Sequence, residues 1–202
     1  MHSATPALLL LLASSSIYRR ELLARLQLPF ICHSPDIDES PLHNETPRAL
    51  VERLAISKAR ALADSYPEHI IIGSDQVAVL DQQIIGKPVH AEGAFKQLRA
   101  ASGRSVTFLT ALAVIDTRKT GHLQNEQVDC VPFTVHFRTL SDAQILRYID
   151  KEQPFDCAGS FKSEGLGVSL FQSTEGSDAT SLVGLPLIRL CDMLNSCGIA
   201  IP

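Results

Sequence analysis

Short apolar runs alternate with stretches whose apolar residues recur every three or four positions, and the alternation continues along the whole chain. The leucines ending at Ala13 and the run Ile70-Ile71-Ile72 read as strands covered on both faces, because an unbroken aliphatic run leaves no polar side for water. A helix follows the first strand over residues 18–26, with Leu22, Leu23 and Leu26 as its apolar stripe, then a short strand over 30–32. Thr46 as N-cap and Pro47 at the first helical position open a second helix, which ends before Pro67. Gly73 is expected to end the isoleucine strand, and a hairpin is expected over residues 77–85. A helix over 91–100 and two long strands, 106–115 and 131–137, come next, with a polar loop over 117–126 between the strands. Ser141-x-x-Gln144 is a capping box that opens a helix running through Ile149. A glycine-rich stretch, 159–167, precedes a strand over 168–171, and the last helix covers 186–194 with Pro186 at its first position. Strands and helices in this order predict one α/β domain with a mixed sheet over residues 1–202.

Composition narrows the class without naming a function. The chain has 202 residues, 45% hydrophobic and 20% charged, enough for a substantial core. A net charge of -4 argues against a general nucleic-acid binder, so an anionic ligand must meet a local cluster of cations. Five scattered cysteines without a Cys-x-x-Cys pair fit reduced thiols and a cytoplasmic location. No His-x-x-x-His pair suggests zinc, so a metal would more naturally be a hard cation on oxygen ligands. The leucines before Ser14-Ser15-Ser16 resemble the end of an export signal. Their run is short and no lysine or arginine precedes it, which favours a central strand feeding a polar loop. No stretch is long enough to span a membrane.

Candidate chemistry gathers where strands meet helices. Asp75, in Gly73-Ser74-Asp75-Gln76, is expected at a strand's carboxyl end, where open α/β sheets bind ligands. Gly86-Lys87-Pro88 follows nearby; together the two suit a metal and a phosphate, or else an Asx-turn beside a solvated lysine. Ser14, Ser16, Arg19 and Arg20 lie in a loop entering a helix, where hydroxyls, free N–H groups and guanidinium favour an anion; a serine cap with solvated arginines is the plainer alternative. Asp36, Asp38 and Glu39 offer oxygen ligands for Mg²⁺ or Mn²⁺, or simply form an acidic solvated loop. Lys58, among small apolar neighbours, sits at a helix–sheet junction or snorkels past a core edge. No phosphate-binding loop, dinucleotide fingerprint or serine-nucleophile elbow occurs, so positioning plus a metal is the chemistry these residues suit.

Taken in order, the segments resemble the Maf family of nucleoside triphosphate pyrophosphatases across nearly the whole chain. The matching pieces are Leu-Ala-Ser-Ser-Ser with Arg19-Arg20, Asp38-Glu39, Lys58-Ala59, Gly73-Ser74-Asp75 and Gly86-Lys87-Pro88. They continue with Val135-His136-Phe137-Arg138, Ala158-Gly159-Ser160-Phe161-Lys162 and Val183-Gly184-Leu185-Pro186. The resemblance implies an inosine-triphosphatase-like fold, a long mixed twisted sheet flanked by helices with a nucleotide cleft between two lobes. It implies hydrolysis of a nucleoside triphosphate to monophosphate and pyrophosphate with a divalent cation, Mg²⁺ or Mn²⁺. Asp75 would accept a proton from the attacking water and, with Glu39, hold the metal. Ser14, Ser16, Arg19, Arg20, Lys58, Lys87 and Lys162 would hold the substrate. A homodimer is compatible with it; nucleic acid and membrane are not implied as partners.

Tyr18 ahead of two arginines, Gln76 after the acid and Glu164 resemble the branch of the family that acts on 7-methyl-GTP. A 7-methylated guanine is cationic, which suits stacking on Tyr18 and a carboxylate such as Glu164 at the base edge. The chain departs from that branch at Ile17, where proline is expected, and at Tyr18, where tryptophan is usual. Two alternatives stand beside this expectation. One is a preference for dTTP, UTP or a mixed set; the other is a nucleotide-sensing regulator of septum formation that binds without turnover.

Overall fold

The computed structural model describes residues 9–118 and 126–201. The start of the leucine run and most of the loop expected over 117–126 lie outside them. The order of elements is β1 (Leu10–Leu12), α1 (Ile17–Ala24), β2 (Phe30–Cys32), α2 (Pro47–Ala63), β3 (Ile70–Leu80), β4 (Gln83–Ile85) and α3 (Ala91–Ala101). It continues with β5 (Ser105–Asp116), β6 (Glu126–Phe137), α4 (Asp142–Glu152), β7 (Phe171–Gly176), α5 (Ala179–Val183) and α6 (Leu187–Ser196). The strands form one seven-stranded sheet in the order β2-β1-β3-β5-β6-β7, with β4 added beside β3. β1 pairs in parallel with β2 and β3, and every other pairing is antiparallel. The mixed sheet flanked by helices is the architecture expected.

Local chemistry explains the helix starts. Thr46 accepts from the Ala49 amide and Pro47 occupies the first turn of α2. Ser141 and Gln144 close the reciprocal capping box of α4. Asp178 caps two helices with one buried carboxylate: Oδ1 accepts from the Thr180 amide, Oδ2 from the Ile188 amide in the first turn of α6. Pro186 stands at the N-cap of α6, one position before the helix rather than in its first turn.

Other elements also differ from the sequence expectation, among them β6, which begins at Glu126 rather than at 131. β3 does not stop at Gly73; it runs on to Leu80, so Asp75 lies mid-strand. Gly73 serves packing instead: a Cβ there would stand 2.1 Å from the Ala55 carbonyl oxygen, so the missing side chain lets α2 lie directly on β3. The segment expected as a strand over 168–171 is a 3₁₀ turn, Leu166–Leu170, and β7 begins only at Phe171. α5, five residues long, has no counterpart in the apolar pattern.

Two long strands thread two cores. Ile70 and Ile72 of β3 and Leu112 and Val114 of β5 pack with α1 and α6 residues such as Leu23 and Leu190. Farther along, Ala78 and Leu80 of β3 and Phe108 of β5 pack with Leu98 of α3, Ile145 of α4, and Phe161. Between these cores one edge of β3 is uncovered. β5 pairs with it from Ile70 to Val79, whereas on the opposite edge β1 covers only Ile70–Ile72 and β4 only Ala78–Leu80. Residues 73–77 face that gap.

Candidate active site

The gap opens into a cavity of about 570 Å³ that carries Asp75, Glu39, Lys58, Lys87, Arg19, Ser14, Ser16 and Tyr18 on its walls. The topology accounts for the convergence. The chain leaves β1 at Ala13, tied to the Ile72 carbonyl by its amide, and turns through the serines at one end of the gap. It leaves β4 at the other end through Gly86 and Lys87. Asp75 is therefore at the carboxyl end of its parallel neighbour β1, though not of its own strand.

Lys58 is central. It belongs to the buried stripe of α2, Val51, Leu54, Ala55, Lys58, Ala59 and Leu62, whose spacing turns it to the sheet. Its Nζ donates to Asp75 Oδ1 at 2.6 Å and lies 3.0 Å from Glu39 Oε1. The lysine and aspartate side chains are 8% and 11% exposed, so the pair is screened from water. It does not snorkel.

Ser16 caps α1 by accepting from the Arg19 amide, and Ser14 Oγ accepts from the Ser16 amide. Arg19 Nε donates to the Gly184 carbonyl at 2.9 Å, which leaves its terminal nitrogens for another partner. Burial lowers the Arg19 pKa, with Asp75 and Glu39 pulling the other way. Gly184 (φ 121°) needs the glycine freedom to turn that carbonyl inward, and Ser74 Oγ also donates to it at 3.0 Å. Arg20 is exposed and is not on the cavity wall. Of the acids in that loop only Glu39 lines the cavity; Asp38 accepts from the Ser40 amide at 2.9 Å, an Asx-turn.

The cavity is also lined by Tyr18, Gln76, Glu164, Phe161 and Lys162. Phe161 is wedged edge-on against Phe108, Phe137 and Phe171. Gln76 Nε2 donates to Thr110 Oγ1 and the Ser181 carbonyl, both at 2.8 Å, so its amide pins α5. Lys162 Nζ lies 3.4 Å from the Glu152 carbonyl and 3.9 Å from Asp156 Oδ1. Tyr18 donates its hydroxyl to Asp156 Oδ2 at 3.3 Å, and burial, with Cys157 and Asp156 beside it, pushes the phenol up to about 12. Asp156 and Thr110 take part in this site without a sequence signal of their own. Each was visible only as a polar residue whose neighbours in the fold could not be foreseen.

Among the described residues no group of three or more His, Cys, Asp or Glu side chains is arranged to hold a metal. Glu39 and Asp75 offer two. No helix of the described chain is long and apolar enough to cross a membrane.

The chain is 68% identical over 193 residues to the 7-methyl-GTP pyrophosphatase of Pseudomonas fluorescens (strain Pf0-1), covering 96% of this chain and 98% of the relative. Its identity to the enzyme of the same name from Pseudomonas aeruginosa is 64%, with the same coverage. To the one from Alcanivorax borkumensis it is 56%, over the whole of both chains. The solved structure of a HAM1 protein from Coxiella burnetii superposes with a TM-score of 0.51 at 16% identity, covering 94% of this chain and 99% of that one, a likeness of fold. A family model described as Maf-like protein matches residues 9–197, and the chain belongs to that family.

Proposed function

We propose that the protein hydrolyses 7-methyl-GTP to 7-methyl-GMP and pyrophosphate. The observation that carries this reading is the buried Lys58–Asp75 pair, joined by the exposed Glu39, in a cavity that Tyr18, Asp156 and Glu164 also line. The names of relatives 56–68% identical over nearly the full chain support the substrate.

The two carboxylates meet at one point, the Lys58 ammonium, so their oxygens can reach a common cation. Two hard oxygen donors and no more suit Mg²⁺ or Mn²⁺, ions that keep several waters and share phosphate oxygens. Glu39 and Asp75 would hold it. When bound, such an ion supplies charge neutralisation and a more acidic water.

The chain's own groups do the rest. Asp75, fixed by Lys58, accepts the proton of the attacking water. Arg19 presents its terminal nitrogens to phosphate oxygens because Nε is held by Gly184. Lys58 and Lys87 add charge where the pyrophosphate leaves, and Ser14 and Ser16 lie where the chain enters α1. Tyr18 offers its ring to the base, Glu164 its carboxylate to the base edge, and Gln76 its carbonyl oxygen.

The test is a panel of 7-methyl-GTP, GTP, dTTP and UTP with Mg²⁺ or Mn²⁺ and identification of products. Monophosphate and pyrophosphate, formed best from 7-methyl-GTP, are expected. Release of single orthophosphate would overturn the reaction type, and faster turnover of dTTP or UTP would overturn the substrate.

A further inference from the structure

The cavity wall carries two groups of charged side chains. Arg19 and Lys58 gather with the carboxylates of Asp75 and Glu39, and Lys87 lines the same cavity. Around Tyr18 stand two carboxylates, Asp156 and Glu164, against the single ammonium of Lys162. A ligand matching both groups has an anionic tail and a cationic ring.

Asp156 is the less expected member. It lies in the turn after α4, far along the chain from Tyr18, yet its Oδ2 takes the Tyr18 hydroxyl at 3.3 Å. One carboxylate thus holds the hydroxyl edge of the ring and sets a negative charge at that edge. Its Oδ1 is 3.9 Å from Lys162 Nζ and 3.5 Å from Cys157 Sγ. The cysteine does not compete for the role: burial, with Asp156 beside it, pushes that thiol up to about 12, so it stays neutral. Lys162 offsets part of the charge at some distance, while its own Nζ also points to the Glu152 carbonyl.

We propose that Asp156 is a specificity-determining residue that favours positively charged, N-alkylated purines over neutral ones by orienting Tyr18 and by charge. A ring carrying a delocalised positive charge gains from both the aromatic face and the nearby carboxylate. A neutral guanine gains only the stacking. The inference rests on the substrate reading above. Asp156 is 60% exposed, so its effect is that of a screened surface charge.

The experiment compares kcat and KM for 7-methyl-GTP and GTP in the wild type, Asp156→Asn and Tyr18→Phe, at low and high ionic strength. Asparagine keeps a carbonyl for the Tyr18 hydroxyl and removes the charge. The preference for 7-methyl-GTP, as the ratio of kcat/KM values, is expected to fall about 3–5-fold in Asp156→Asn, the loss lying in KM. In the wild type that preference shrinks with added salt; in Asp156→Asn it no longer does. Tyr18→Phe, which keeps the charge, retains the salt dependence. An unchanged ratio in Asp156→Asn, or equal losses on both nucleotides, overturns the proposal while leaving the substrate assignment standing. A wild type indifferent to methylation removes both.

Discussion

The ammonium of Lys58 sits 2.6 Å from the carboxylate of Asp75, and the same nitrogen is 3.0 Å from Glu39. It stands where a divalent cation shared by those two acids would draw their oxygens. Removing it leaves two uncompensated carboxylates, one of them buried. Lys58→Met is therefore expected to lose about 3–5 kcal/mol of stability. Mn²⁺ without nucleotide should raise its melting temperature and leave that of the wild type unmoved. Thermal melts with and without Mn²⁺ decide it; a variant insensitive to the ion would show that the acids do not form a cation site.

Asp75→Asn keeps the shape and a hydrogen-bonding oxygen for Lys58 but cannot accept a proton. Turnover is expected to drop about 10²–10⁴-fold with the far-ultraviolet circular dichroism unchanged. Activity near the wild-type value would remove Asp75 from the proton-accepting role.

Gly73→Ala tests the close approach of α2. The new methyl group meets the Ala55 carbonyl oxygen and the Ala59 amide, both rigid backbone. Destabilisation of about 1–3 kcal/mol is expected from overpacking, read as a lower urea midpoint. Because Lys58 rides on the same helix, kcat should fall as well. A wild-type urea midpoint would mean the helix yields freely.

Glu45 gives a pH signature. Arg53 donates to it at 2.6 and 2.8 Å and to the Ser40 carbonyl at 3.0 Å, clamping the loop that carries Glu39. The Arg53 hydrogen bond, helped by the Leu42 amide, lowers the Glu45 pKa from 4.5 to about 2. A carboxyl group depressed in the folded state stabilises fully above its unfolded value and loses that contribution as pH falls through the folded one. The gap in urea midpoint between wild type and Glu45→Gln should be largest near neutrality and close between about pH 4.5 and pH 2. A gap constant across that range would show that Glu45 acts by packing alone.

The fold was legible where local chemistry and periodicity agreed. Thr46-Pro47 and the Ser141–Gln144 box marked helix starts, and the isoleucines marked the central strand. Gly73 misled because a glycine after an apolar run usually signals a turn, whereas here it accommodates a helix crossing from elsewhere in the chain. β7 escaped because an edge strand with one buried residue, Phe171, followed by Gln-Ser-Thr-Glu, lacks apolar alternation. For the site, Asp75, Lys58, Lys87 and Arg19 could be named because their segments are distinctive. Asp156 could not, since its importance comes from a partner 138 residues away.

β3 and β5 are continuous through both cores, and no linker joins the walls of the cleft. A slight change in how these two ribbons coil about each other would therefore move both walls together, as a shared spring rather than a swivel. Stiffness bred into either ribbon for thermal endurance would be felt at once in how fast product escapes.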